Sequence, residues 1–168
     1  MARRGEGVMA LQLMSKQDLE KLIFGKFVKH AGLTRIHFES RDAPEPDILC
    51  KSKTGELYFE LTNNSSQETQ ETIHTKNEDI KNKAYWFNPF PKTYQQKFAK
   101  HYKTGSLNCE LVIYFSIQPV NELGEHFNYK LKKNLEWIRK NIHQSEFRKV
   151  WIYDYHNDKV LGCVQVST

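Results

Sequence analysis

A single α/β domain, with a mixed sheet flanked by helices, is predicted by three observations. Residues 46 to 62, PDILCKSKTGELYFELT, pattern as two strands around a glycine-containing turn. Residues 108 to 117, NCELVIYFSI, make an apolar run suited to a central strand buried on both faces. Segments 15 to 31 and 121 to 143 carry apolar residues at helical spacing. The predicted order is helix, three strands, helix, strand, and then a helix and two strands. That order is an αβββαβ core followed by a C-terminal helix and β-hairpin.

Ser15 and Asp18 have capping-box spacing at the start of the first helix, and Gly32 stands where a C-terminal cap is needed. Leu19, Leu22, Ile23, Phe27 and Val28 form its apolar face, with Glu20 beside it. In the strand Thr34 to Ser40, Ile36 and Phe38 point one way while Arg35, His37 and Glu39 point the other. Two prolines make 41 to 46 a connector. Residues 63 to 83 are polar and read as a largely solvated helix, with Ser65 and Glu68 at capping-box spacing. The helix from Asn121 to His143 buries Phe127, Leu131, Leu135, Ile138 and Ile142. A last hairpin runs from Lys149 to Val166 across Asn157-Asp158.

With 168 residues the chain can bury one sizeable core. Residues 1 to 14 are expected to be a flexible N-terminal segment, and 15 to 168 the domain. The run VMALQLM is too short to span a membrane, and no small-residue cleavage site follows it. Cys50, Cys109 and Cys163 all fall in predicted strands without zinc spacing, which suits reduced core thiols in a cytoplasmic protein. A net charge of +5 suits a polyanionic partner such as nucleic acid, and equally a basic protein without one.

The hairpin carries a carboxylate on each arm. A two-residue turn at Thr54-Gly55 pairs Leu49 with Glu60 and Asp47 with Thr62. Asp47 and Glu60 then become diagonal neighbours on one face, close enough to share a divalent cation. Paired carboxylates repel, and a hard cation such as Mg²⁺ removes that penalty. The plainer reading is two surface acids, against which stands the apolar setting of Glu60 in YFELT. Further on, residues 85 to 103 are dense in aromatic and basic residues. Tyr94, Phe98 and Tyr102 recur at helical spacing, surrounded by Lys92, Lys97, Lys100 and Lys103. Aromatic faces for bases and ammonium groups for phosphates are what a nucleic-acid groove uses. A core stripe with a wet lysine side is the alternative.

The order of elements, with Pro46-Asp47 opening one strand and Glu60 thirteen positions on inside the next, resembles the PD-(D/E)XK nuclease superfamily, the restriction-endonuclease-like fold. The resemblance covers residues 15 to 117. It implies a metal-dependent nuclease using Mg²⁺ or Mn²⁺ on a nucleic acid, with DNA ahead of RNA. Asp47, Glu60 and the backbone carbonyl of Leu61 would hold the metal, and Glu20, or else Glu39, would be an additional acid. The superfamily places a lysine two residues after the glutamate, where this chain has Thr62. Some members supply it from the following helix, which makes Lys76 the first candidate and Lys81 the second. Without such a lysine, the resemblance implies a silent module that binds nucleic acid or a protein. Many members are homodimers, and the sequence leaves that open. No HExxH, GxxxxGK[ST], GxGxxG or GxSxG pattern is present.

Overall fold

Residues 14–33, 36–64, 92–102, 108–115, 124–155 and 157–166 are described in a computed structural model of the chain. Helix α1 (Lys16–His30) starts at Ser15, whose hydroxyl accepts the Asp18 N–H at 3.1 Å, as the capping spacing predicts. Gly32 follows the C-cap Ala31 with φ +70°, a conformation in which a side chain would be strained. Three short antiparallel strands come next: β1 (His37–Ser40), β2 (Ile48–Ser52) and β3 (Gly55–Asn63). Helix α2 (Lys92–Phe98) precedes β4 (Cys109–Phe115), and α3 (Gly124–Asn141) precedes β5 (Phe147–Asp154). Strand β6 (Lys159–Gln165) closes the chain antiparallel to β5.

All six strands form one sheet in sequence order. The β3–β4 and β4–β5 pairs are parallel, so the sheet is mixed, in one domain. Strand β4 is central and buried on both faces, as its apolar composition predicts. Helix α1 covers one face with Ile23, Phe24, Phe27 and Val28, packed on Ile48, Phe59, Val112 and Tyr153. Phe27 is fully buried, its ring centroid 5.3 Å from Trp151 and 5.6 Å from Tyr153. On the other face, Phe98, Tyr102, Ile138 and Ile142 pack on Leu49, Tyr58, Leu111 and Ile152. Burying such side chains contributes about 1.5–3 kcal/mol each.

The hairpin register differs from the expected one. Ser52 pairs with Gly55, and Leu49 with Tyr58, so the turn residues are Lys53 and Thr54. The Ser52 side chain explains the displacement. Its hydroxyl accepts the Thr54 N–H at 3.2 Å and donates to the Gly55 carbonyl at 3.0 Å, closing the turn one residue early. A strand partner moves by two residues, so every side chain keeps its face. The consequence falls on the acids: continuing the observed register sets Asp47 directly opposite Glu60.

Among the described residues, no helix is long and apolar enough to cross a membrane. Asn63, where a helix over 63 to 83 is expected to start, ends β3 instead; residues 65 to 83, with Lys76 and Lys81, lie outside the described residues, as do Lys103 and the side chains of Lys92 and Tyr94.

Candidate active site

Glu60 is the point on which the site is built. Strand β3 pairs with β2 on one side and β4 on the other, so its middle residues are lost to solvent, and Glu60 is 0% exposed. Taking a carboxylate out of water is costly unless cations or hydrogen bonds replace the solvent. Here the cations come from α2 and the turn after it. The Lys97 ammonium bonds Glu60 Oε1, and Lys100 Nζ lies 3.4 Å from the same oxygen. The other oxygen, Glu60 Oε2, is buried with no hydrogen-bond partner among the described residues. The hydroxyl of Tyr102 is in the same condition, and burial together with the nearby negative Glu60 pushes its phenol far above the ordinary range.

Asp47 stands one residue ahead of β2. Its Oδ2 accepts the Leu61 N–H at 2.8 Å, which ties it to the strand bearing Glu60. Its Oδ1 lies 3.6 Å from Lys16 Nζ, at the first turn of α1. The same ammonium is 3.2 Å from Glu20 Oε1, one helical turn along. Glu20 is buried, and burial, reinforced by the negative charge of Asp47 and opposed by Lys16, raises its pKa from 4.5 to about 7. Burial works against the Lys16 ammonium, but Asp47 and Glu20 more than offset it, and its pKa is raised.

The structure therefore joins Asp47 to Glu20 through Lys16 and sets Asp47 opposite Glu60 in the hairpin, with Lys97 and Lys100 beside Glu60, and the three acids do not form one cluster among the described residues. Glu39 is not among them, since it pairs with Lys51 at 3.1 Å nearer the sheet edge. His37, on the edge strand, is exposed. Thr62, where the superfamily has its lysine, is buried and carries no charge. Phe98 and Tyr102 lie in the hydrophobic core, which takes the aromatic stripe of α2 away from solvent. Lys97 and Lys100, expected along a nucleic-acid groove, turn inward to Glu60 instead. The engagement of Lys16, Lys97 and Lys100 with the acids was not foreseen from sequence. The available signal was their placement: a lysine one turn before Glu20, and two lysines flanking the core residue Phe98.

A second buried acid gives the comparison that matters. Glu110 accepts two hydrogen bonds from Arg148, at 2.8 and 2.9 Å, and one from the Trp151 indole at 2.7 Å. Both its oxygens are satisfied, as a purely structural carboxylate requires. Among the described residues Glu60 Oε2 meets no hydrogen bond of good geometry, with the equally unpartnered Tyr102 hydroxyl as its neighbour. That oxygen, with Asp47 opposite, is an all-oxygen donor pair suited to one hard cation. Among the described residues no three ligating side chains converge on one point, so further ligands would have to be backbone oxygen, water or substrate. Family models, curated proteins and solved structures return no significant match to this chain.

Proposed function

We propose that this chain is a metal-dependent nuclease that hydrolyses phosphodiester bonds of nucleic acid, with DNA ahead of RNA. The observation that carries the reading is Glu60: a fully buried carboxylate, one oxygen of which meets no hydrogen bond of good geometry among the described residues, opposite a second acid and flanked by ammonium groups. Asp47 and Glu60, with the Leu61 carbonyl, would hold Mg²⁺ or Mn²⁺. Such a cation supplies an activated water and neutralises the leaving oxygen. The lysines supply what Thr62 lacks. With Glu60 engaged by the cation, Lys97 is the nearest ammonium to the site, and it stabilises the charge that builds on the phosphoryl oxygens as water adds and the P–O bond breaks. Lys100, 3.4 Å from Glu60 Oε1, would stay beside the carboxylate while Lys97 turns to substrate.

A second reading, a module that binds without cutting, is favoured by one observation. Lys97 and Lys100 already give Glu60 the neutralisation that a cation would. The two readings separate in a cleavage assay on single- and double-stranded DNA and RNA with Mg²⁺, Mn²⁺ or EDTA. The nuclease cuts only with metal, stops cutting as Asp47→Asn or Glu60→Gln, and slows by about a hundredfold or more as Lys97→Met. Cutting in EDTA, or at the wild-type rate in either acid variant, refutes the site. Nucleic-acid binding without cutting under any metal establishes the second reading.

A further inference from the structure

A nucleic-acid partner needs a basic surface, and Lys97 and Lys100 are turned inward to Glu60. Helix α3 offers another. Its buried side carries Ile138, with Leu131, Leu135 and Trp137 packed on the same core. At 3.6 residues per turn, the side opposite Ile138 from Asn128 onward carries Tyr129, Lys133, Glu136 and Lys140, with Lys132 and Arg139 flanking them. Lys132, Arg139 and Lys140 are exposed. Tyr129 is 60% exposed, more than any other large hydrophobic side chain among the described residues. The Trp137 ring centroid is 5.0 Å from that of Phe98 in α2, and Lys97, next to Phe98, bonds Glu60. The outer face of α3 is thus one helix away from the acids.

Charge on this face is not balanced within it. Four cations stand with one carboxylate, Glu136. Only Lys133 is engaged, its ammonium 3.4 Å from Glu136 and 5.7 Å from the Tyr129 ring centroid. Lys132, Arg139 and Lys140 have no ion-pair partner among the described residues, whereas Lys16, Lys51, Lys97 and Arg148 each have a carboxylate. The spacing suits a chain of phosphates. Lys132 and Lys133 precede Arg139 and Lys140 by seven residues, about 10 Å along the axis, so two pairs of cations meet the chain at two points. The Tyr129 ring lies one turn before the first pair. An exposed ring beside ammonium groups is the combination that takes a base on the ring and its phosphate on the cation. A membrane surface would need apolar side chains beneath the cations, and α3 spends its apolar side on the sheet.

We infer that the outer face of α3 binds a single-stranded segment of nucleic acid, with phosphates on Lys132, Lys133, Arg139 and Lys140 and a base stacked on Tyr129. Every base has a π-face, so this surface takes any sequence. Its affinity falls steeply with salt, because each phosphate neutralised releases a counterion. The inference rests on the nucleic-acid partner of the proposed function and is independent of the metal.

Fluorescence anisotropy in EDTA with labelled oligo-dT, read across salt concentrations, compares two variants matched in charge. Lys132→Gln with Lys140→Gln removes two cations from α3. Lys21→Gln with Lys29→Gln removes two exposed cations from α1, which covers the opposite face of the sheet. The α3 pair is expected to weaken binding about tenfold at about 0.15 M salt and to flatten the slope of log K against log salt by about 1.4, roughly 0.7 for each phosphate contact. The α1 pair should change neither. Tyr129→Ala should weaken binding by about fivefold or more, and Tyr129→Phe, which keeps the ring, should not. Equal losses in the two pairs would show attraction by net charge alone, and no loss in the α3 pair would place the strand elsewhere; either overturns the inference, as does a wild-type protein that binds anionic vesicles and no oligo-dT, or neither. Metal-dependent cutting beside such a result leaves the nuclease reading standing. Binding lost in the α3 pair, in a protein that never cuts, upholds the surface and removes the nuclease reading.

Discussion

Replacing Glu20 by Gln should stabilise the metal-free protein by an amount that grows as pH rises from about 4.5 and is full above about 7. The Glu20 side chain is 5% exposed, and its pKa is raised from 4.5 to about 7, first by burial and then by Asp47. The sign follows from proton counting. Between those two values the folded state keeps a proton that the unfolded chain has released, so stability falls as pH rises through this window. Above it the full cost applies, 2.5 units at 1.36 kcal/mol each, or about 3 kcal/mol. The raised pKa already contains the opposing pull of the Lys16 ammonium, so no separate ion-pair contribution is subtracted. Glu20→Gln keeps the shape and removes the ionisation, so the gain is about 3 kcal/mol at pH 8.5 and near zero at pH 4. Urea unfolding in EDTA, followed by tryptophan fluorescence across that range, reads the gain as a midpoint shift of roughly 1 M at high pH. Two midpoint curves that run parallel from pH 4 to 8.5 would show that Glu20 is not the buried, charge-opposed acid described here.

Two further outcomes test the packing. Phe27→Ala removes a ring enclosed by Phe24, Phe59, Trp151 and Tyr153 and should cost about 3–5 kcal/mol, measured by the same urea titration; a loss under 1 kcal/mol would mean that α1 does not pack on the sheet as described. Burial, aided by Glu110, pushes the Cys50 thiol up to about 12, and burial likewise raises Cys109, whereas Cys163 is exposed. A thiol reagent at pH 8 should therefore modify Cys163 alone in the native protein and all three cysteines in denaturant; rapid native labelling of Cys50 or Cys109 would contradict their burial.

The strands and the α1 cap were legible because each depends on near neighbours in sequence. A short apolar run marked β2, alternation marked β3, a longer apolar run marked β4, and Ser15 marked the start of α1. The hairpin register was not legible, because it was decided by the Ser52 hydroxyl, which competes with Gly55 for control of the turn. That the error was two residues and not one is why Asp47 and Glu60 were still assigned to one face. The acids could be paired from sequence because the hairpin is local. Their cations could not: Lys97 and Lys100 reach Glu60 across 37 and 40 positions, a distance that no periodicity encodes. Aromatic spacing on a helix fits a binding stripe and a buried one, and the structure places Phe98 and Tyr102 in the buried one.

The position of β3 in the sheet has a consequence for the order in which the centre comes together. Strand β3 is the hinge between two kinds of closure. On one side it meets β2 through a two-residue turn, a small loop that costs little chain entropy and closes quickly. On the other it meets β4, with Tyr58 opposite Cys109, across a loop of about fifty residues whose closure is entropically dearer and slower. Asp47 and Glu60 belong to the quick side. Lys97 and Lys100 lie within the slow loop. Chain topology thus brings like charges together before it brings their counter-charges, and the early hairpin must carry an electrostatic debt until the parallel strand docks.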